Sequence, residues 1–395
     1  MNTDKIPDWF DEVHKSISRW IASITDRQTG MLKDCIDSEI PFAIPATSHG
    51  FAIFENGLGK SRFELPYYDE SKEKGIIEFV QNAQDEKTGL VIDPQLDPRF
   101  YQPDNEREYR NFRVAVTRYA EGLLKRLGAE LKYPFTEAGG TKKPDPQKAL
   151  AYIKTGDWDK PWGTGSHSSA IVREFFYLIN SGHEEYIPIT CEMIEFILSK
   201  QNPETGMWGK SSIPLYEQIS GTLKVLGRFY FQLGMNIPNL DKLADSCIEH
   251  HKDKSFYAES DDMCIPRNVM EMCILCLDAS EYRKEELEST LISLLEHIYK
   301  YHYKPDGAFS SYHSGTKPIQ WCGARICGES QTPRSNINGT AGACHSFNMI
   351  GEYFHWTNKV SFPCKTFQSD WRNKLAELKY KIVATDRGTI EIIRK

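Results

Sequence analysis

The sequence predicts an all-α protein, an (α/α)6 toroid of six inner and six outer helices followed by a short C-terminal hairpin. Three observations predict it. A phrase recurs: Thr25 to Leu32 reads TDRQTGML, Gln84 to Val91 QDEKTGLV, Gln201 to Trp208 QNPETGMW, and His302 to Phe309 HYKPDGAF. Each copy turns at its Gly and sets an apolar residue two positions later. The spacings from Gly30 to Gly89 (59), Gly89 to Gly206 (117) and Gly206 to Gly307 (101) fit a supersecondary unit of roughly 50–60 residues, large enough for a helix pair. Finally, segments with helical periodicity alternate between two kinds.

The first kind is amphipathic and charged, over roughly 8–25, 70–84, 145–155, 184–200, 240–251 and 283–302. These segments carry a solvated face and make an outer layer. The second kind is apolar or small on most sides, over roughly 47–58, 108–126, 165–180, 214–232, 262–277 and 338–354. Helices with little charge all round are buried, so these make the inner ring. The connections before the inner helices, 33–46, 92–107, 156–164, 207–213, 252–261 and 308–337, converge at its mouth; several are rich in Trp, Tyr, Pro or His. Beyond Trp371 a closing helix precedes a hairpin turning at Asp386-Arg387-Gly388. No linker divides the chain, so residues 1–395 read as one domain.

Hydrophobic content of 40% and charged content of 26% are those of a soluble globular protein. A net charge of -7 excludes the basic stripe of a nucleic-acid surface. No apolar run is long enough to span a bilayer, and the N-terminus lacks a basic-then-apolar signal. The ten cysteines then read as reduced core thiols of a cytoplasmic protein rather than a disulfide set. Oligomeric state is left open.

The motif Gln201-x4-Gly206-x-Trp208 resembles the QW motif of the terpenoid cyclase and protein prenyltransferase α/α-toroid superfamily. The resemblance implies that the Gln ties a helix end to the next turn and the Trp packs over the following helix. It extends to the other repeats, which keep the Gly and an apolar residue but vary the Gln and Trp. Toroids of this kind also host glycosidases and polysaccharide lyases, so architecture alone selects no reaction.

Four groups of residues carry candidate chemistry. Glu259-Ser-Asp261-Asp262 precedes the fifth inner helix and resembles the Asp-x-Asp-Asp acid of class II terpene cyclases, with Glu for the first Asp. The same acids serve equally as general acid and base on a glycosidic bond, or as a helix cap. Ser311-Tyr312-His313, Gln320-Trp321-Cys322 and Asn336 to Asn348, including Asn338 and Cys344-His345, offer acid–base groups for elimination. Asp157 to His167, with Trp162 and Gly163-Thr-Gly165, opens the third inner helix and has free N–H groups for an anion. His49 at the first inner helix and Tyr216-Glu217 at the fourth occupy like positions, and Glu217 is a lone acid on a mostly apolar helix.

These groups predict an enzyme acting on a carbohydrate or similar polar substrate by hydrolysis or elimination. Asp261, Asp262, Glu217, His345, Tyr312 and His313 are the acid–base candidates; Trp162, His167, His49, Tyr216, Trp321 and Asn338 bind substrate. A class II-like terpenoid cyclase and a non-catalytic helical scaffold are the alternatives. No cofactor is expected. Cys322 with Cys344-His345 resembles the zinc ligands of lanthionine-synthetase cyclases, and Asp262-x-Cys264 those of prenyltransferase β subunits, which keeps zinc as a possibility.

Overall fold

Each of the four repeated phrases folds into a tight hairpin, the fourth one residue shorter than the others. Thr25 pairs with Leu32, Gln84 with Val91, Gln201 with Trp208 and Tyr303 with Phe309 in single antiparallel bridges. Gly30, Gly89, Gly206 and Gly307 have φ of 73, 70, 69 and 101°, a left-handed backbone that glycine takes at no steric cost. At Gly206 a Cβ would in addition lie 2.6 Å from both Asn239 O and Leu243 N. The Gln predicted to tie the turn does so twice: Gln84 Nε2 donates to Gly89 O at 2.7 Å and Gln201 Nε2 to Gly206 O at 2.9 Å.

A second bond, absent from the sequence reading, appears in all four copies. The backbone N–H of the apolar residue after the turn donates to a threonine Oγ1 on the next inner helix. Leu32 uses Thr47 at 3.0 Å, Val91 uses Thr117 at 2.8 Å, Trp208 uses Thr222 at 2.8 Å and Phe309 uses Thr340 at 3.2 Å. All four threonines are buried. The hydroxyl satisfies an N–H that a one-residue bridge leaves outside any ladder.

These contacts come from a computed structural model that describes residues 6–96, 106–135, 144–257, 260–317, 332–365, 371–384 and 389–395. Among them are thirteen α-helices and two strands, with outer and inner helices alternating as the sequence predicts, and the fold is all-α. The outer helices are α1 (Phe10–Ile24), α3 (Glu70–Asn82), α5 (Pro146–Lys154), α7 (Ile187–Leu198), α9 (Leu240–Lys252) and α11 (Lys284–His302). The inner ones are α2 (Ile44–Ala52), α4 (Glu106–Arg126), α6 (Pro161–Asn180), α8 (Leu215–Phe229), α10 (Cys264–Ala279) and α12 (Ile337–Tyr353). A short α13 (Trp371–Glu377) precedes strands β1 (Tyr380–Ala384) and β2 (Ile390–Arg394), paired antiparallel with Ile382 opposite Ile392. The turn assigned to Asp386-Arg387-Gly388 lies outside the described residues.

Two inner helices start three or four residues earlier than expected. Helix α6 begins at Pro161 rather than 165, because proline in the first turn supplies helical φ and needs no N–H partner. Helix α2 begins at Ile44 rather than 47. Its first N–H is taken by Asp93 Oδ2 at 2.6 Å, a cap 49 residues away that no local pattern reveals.

The chain forms two compact units, 1–135 with 295–366 and 136–294 with 367–395, the boundary falling within α11. In the first, α2 packs between α4 and α12. The first and last repeats adjoin: Ile337 N donates to Asp34 O at 2.7 Å, Tyr303 Oη to Ser16 Oγ at 3.1 Å, and Trp9 stacks on Tyr299 at 4.0 Å. Phe10, Phe347 and Phe362 are fully buried with ring centroids 4.8–5.3 Å apart.

In the second unit α8 packs between α6 and α10, with α5 and α7 behind α6 and α9 behind α10. The α6–α8 approach is close because Gly221 lies against Pro161, where a Cβ would meet the ring at 2.5 Å. Trp208 is fully buried, and its Nε1 donates to Ile197 O at 2.8 Å. The β-hairpin lies on α7, where Ile390 N donates to Glu195 Oε1 at 2.8 Å.

Candidate active site

Helices α6, α8 and α10 run side by side in one direction. Gly165 adjoins Gly221, Ser169 Oγ donates to Lys224 O at 2.9 Å, and Asn268 Nδ2 donates to Ser220 Oγ at 3.4 Å. Their N-termini therefore share an end. There Glu217, half-buried in the first turn of α8, accepts a hydrogen bond on Oε2 from Trp162 N at 3.3 Å. Burial raises its carboxyl above the ordinary glutamate range; the Trp162 bond and Lys160 oppose the rise, and Asp157 adds to it. The anion seat predicted at the start of α6 thus receives the protein's own Glu217, and Gly163 and Gly165 lie within the helix rather than before it.

Asp157 also borders an open cleft of about 560 Å³, lined among others by Trp158, Asp159, Lys200, Asn202 and Lys210. Trp158 is held in place by its Nε1, which donates to Ile153 O at 3.2 Å. An indole face beside carboxylates and amide groups is the composition that sugar rings require, apolar on one face and polar at the rim.

Two turns along α8 the surroundings become cationic. Lys224 is drawn down to about 8, by burial first and then by Arg267 and Arg228. Arg228 Nη1 donates to Ser169 Oγ at 3.2 Å. Arg267 Nη2 donates to Asn268 Oδ1 at 3.2 Å, and its Nε lies 3.6 Å from Glu271. Lys224, Arg228 and Arg267, all half-buried, thus gather beside buried Glu271 at the junction of the three helices.

The remaining predicted residues divide between the units. In the second, Asp262 Oδ1 accepts from Cys264 N at 2.8 Å, so this acid turns the chain into α10. Burial pushes the Cys264 thiol up to about 12. Asp261, His167 and Tyr216 are half-buried. Glu259 lies outside the described residues.

In the first unit His49 is the sixth residue of α2 rather than its start, with its ring 4.9 Å from Tyr119. Asn338 Nδ2 donates to Ser311 Oγ at 3.3 Å, and Ser311 Oγ donates to Asn336 Oδ1, the cap of α12, at 2.8 Å. Tyr312 lies under Lys317 Nζ, 3.5 Å from the ring centroid. His345 is half-buried beside buried Cys344, whose thiol burial raises well above its usual range. His313 adjoins Tyr301, His297 and His302. Trp321 and Cys322 lie outside the described residues.

Sequence reasoning missed Asp34. It is buried, its Oδ2 has no hydrogen-bond partner among the described residues, and burial raises its carboxyl to about 7. A signal was available in the repeat register. Asp34 and Asp93 both stand four residues after the turn glycine, as do Lys210 and Ser311. Lys224, Arg228 and Arg267 were missed because the segments 214–232 and 262–277 read as apolar overall.

No family model matches the sequence, and no curated protein matches it. Among solved structures, the chain is similar to an inactive variant of an α-1,6-mannanase of Salegentibacter sp. in complex with α-1,6-mannotetrose. The TM-score is 0.39 at 11% identity, covering 86% of this chain and 97% of that one, a similarity too distant to carry an inference about the reaction.

Proposed function

We propose that this protein is an enzyme that cleaves a carbohydrate by acid–base catalysis at the shared N-terminal end of α6, α8 and α10. The observation that carries the reading is Glu217: a half-buried carboxyl with a raised pKa, fixed by Trp162 N and electrostatically coupled to Asp157 of the open cleft. A carboxyl whose ionisation is opposed by burial is the kind that donates a proton to a glycosidic oxygen. Asp261 and Asp262 are the partner carboxylates, for activating water or for bearing the developing positive charge. Trp162, Trp158 and Tyr216 are the stacking faces. Lys224, Arg228 and Arg267 favour a sugar bearing an acidic group. The same charges weigh against the terpenoid cyclase reading, which requires a dry apolar cavity around an acid. The catalytic roles first given to Tyr312, His313 and His345 are not needed for this reading.

The reading is tested by incubating the protein with neutral and uronate-containing oligosaccharides and following products by mass and ultraviolet absorbance. Hydrolysis adds one water per cleavage, whereas elimination leaves an absorbing unsaturated end. Cleavage of either kind in one class is expected. Folded protein that leaves both classes intact would count against the proposal.

A further inference from the structure

In the first unit, three imidazoles meet at the end of α11. His297 and His302 come from the helix and His313 from the connection after it. One ring nitrogen from each lies within 4.8 Å of the others. The ring centroids are 6.3 Å apart for His297 and His302, 5.4 Å for His297 and His313, and 4.6 Å for His302 and His313. His302 is fully buried, and the other two are half-buried.

The tautomer of His302 follows from its hydrogen bond. Nδ1 lies 3.0 Å from Ser310 O, and a carbonyl oxygen only accepts, so Nδ1 carries the proton. Nε2 therefore holds a lone pair, and it is buried with no hydrogen-bond partner among the described residues. A histidine that donates one ring N–H to a backbone carbonyl and turns the other nitrogen toward neighbouring imidazoles has the second-shell arrangement of a metal ligand.

We propose that His297, His302 and His313 bind one divalent ion of the zinc class, with water in the remaining position. Imidazole nitrogens suit zinc at about 2.0 Å in tetrahedral geometry, which sets ligand atoms roughly 3.3 Å apart. The observed spread of up to 4.8 Å closes by side-chain rotation, since two of the rings are half-buried. Lys304 lies close by, and its ammonium donates to Tyr301 O at 3.0 Å and His313 O at 2.5 Å. The ion fastens the connection containing His313 to the last turns of α11. The site shares no residue with the zinc candidates Cys264 and Cys344.

The test uses untagged full-length protein stripped with chelator, titrated with Zn2+ alone and followed by calorimetry, metal analysis and thermal unfolding. One equivalent of zinc is expected, with a rise in melting temperature on binding. His297→Ala and His313→Ala, both at half-buried positions, should each weaken binding by roughly 100-fold or more and abolish the thermal shift. His302→Gln should do the same if it folds, and the other two variants decide the matter if it does not. Cys264→Ser should bind as the parent does. Absence of stoichiometric zinc in the parent, or equal zinc in the parent and both alanine variants, overturns the proposal.

Discussion

At the scale of single residues, Asp34 and Glu217 are two of the described acids whose surroundings work against their ionisation. They differ in partners: Glu217 has Trp162 N, while Asp34 Oδ2 has no bond among the described residues. Asp34 allows a stability prediction with a definite sign. Its folded pKa is raised from 3.8 to about 7, so the folded state binds the proton more tightly than the unfolded chain. Its contribution is therefore least costly below pH 4 and becomes destabilising as pH rises to 7. Asp34→Asn removes that cost and should stabilise the protein at pH 8 by at most about 4 kcal/mol, with little gain at pH 4. Melting temperatures of the two proteins should diverge as pH rises. A constant gap, or a variant less stable throughout, would show that the carboxylate has an ionised partner. Glu217 was legible from sequence, since a lone acid on an apolar helix stands out. Asp34 was hidden in a polar connection, where an acid is unremarkable until burial is known. His297 and His302 were hidden by their five-residue spacing, which matches no one-face helical ligand pair.

At the scale of elements, the repeat is a hairpin held to the following inner helix by one threonine hydroxyl. The Gly turn, the apolar anchor and the Gln tie were readable because they are local in sequence. The threonines were not, since they lie 14 to 31 residues further on and threonine in a helix carries no mark of its partner. Thr222→Val keeps shape but leaves Trp208 N buried without an acceptor, at a cost of about 1–3 kcal/mol. Thr222→Ser should recover most of that. Chemical denaturation of the two variants checks this, and equal stabilities would remove the hydroxyl from the account. Gly206→Ala should cost more than about 1 kcal/mol, through its φ of 69° and the 2.6 Å clash with Asn239 O. The β-hairpin pairing was also readable, whereas its seat on Glu195 of α7 was not.

At the scale of the molecule, a chain of net charge -7 carries Lys224, Arg228 and Arg267 together at one helix junction. A polyanionic substrate would be repelled by most of the surface and attracted locally, so its KM should rise with salt more steeply than that of a neutral sugar. Parallel KM measurements at low and physiological ionic strength on uronate-containing and neutral chains check this; indifference to salt for both would leave the cations as packing partners. The all-α class and the alternation of helices were legible because burial and helical period are averaged over many residues. The charges were not, because three cations in two apolar segments barely alter such averages.

The most direct measurement concerns the proton donor. Cleavage by the parent and by Glu217→Gln should be compared across pH on the substrate that the oligosaccharide panel identifies. Glutamine still accepts from Trp162 N but has no proton to donate, so kcat should fall roughly 100-fold or more while the fold and melting temperature hold. In the parent, activity should decline as pH rises through a group titrating above the ordinary glutamate range. A variant that cleaves at the parental rate would contradict the assignment of Glu217 as the acid.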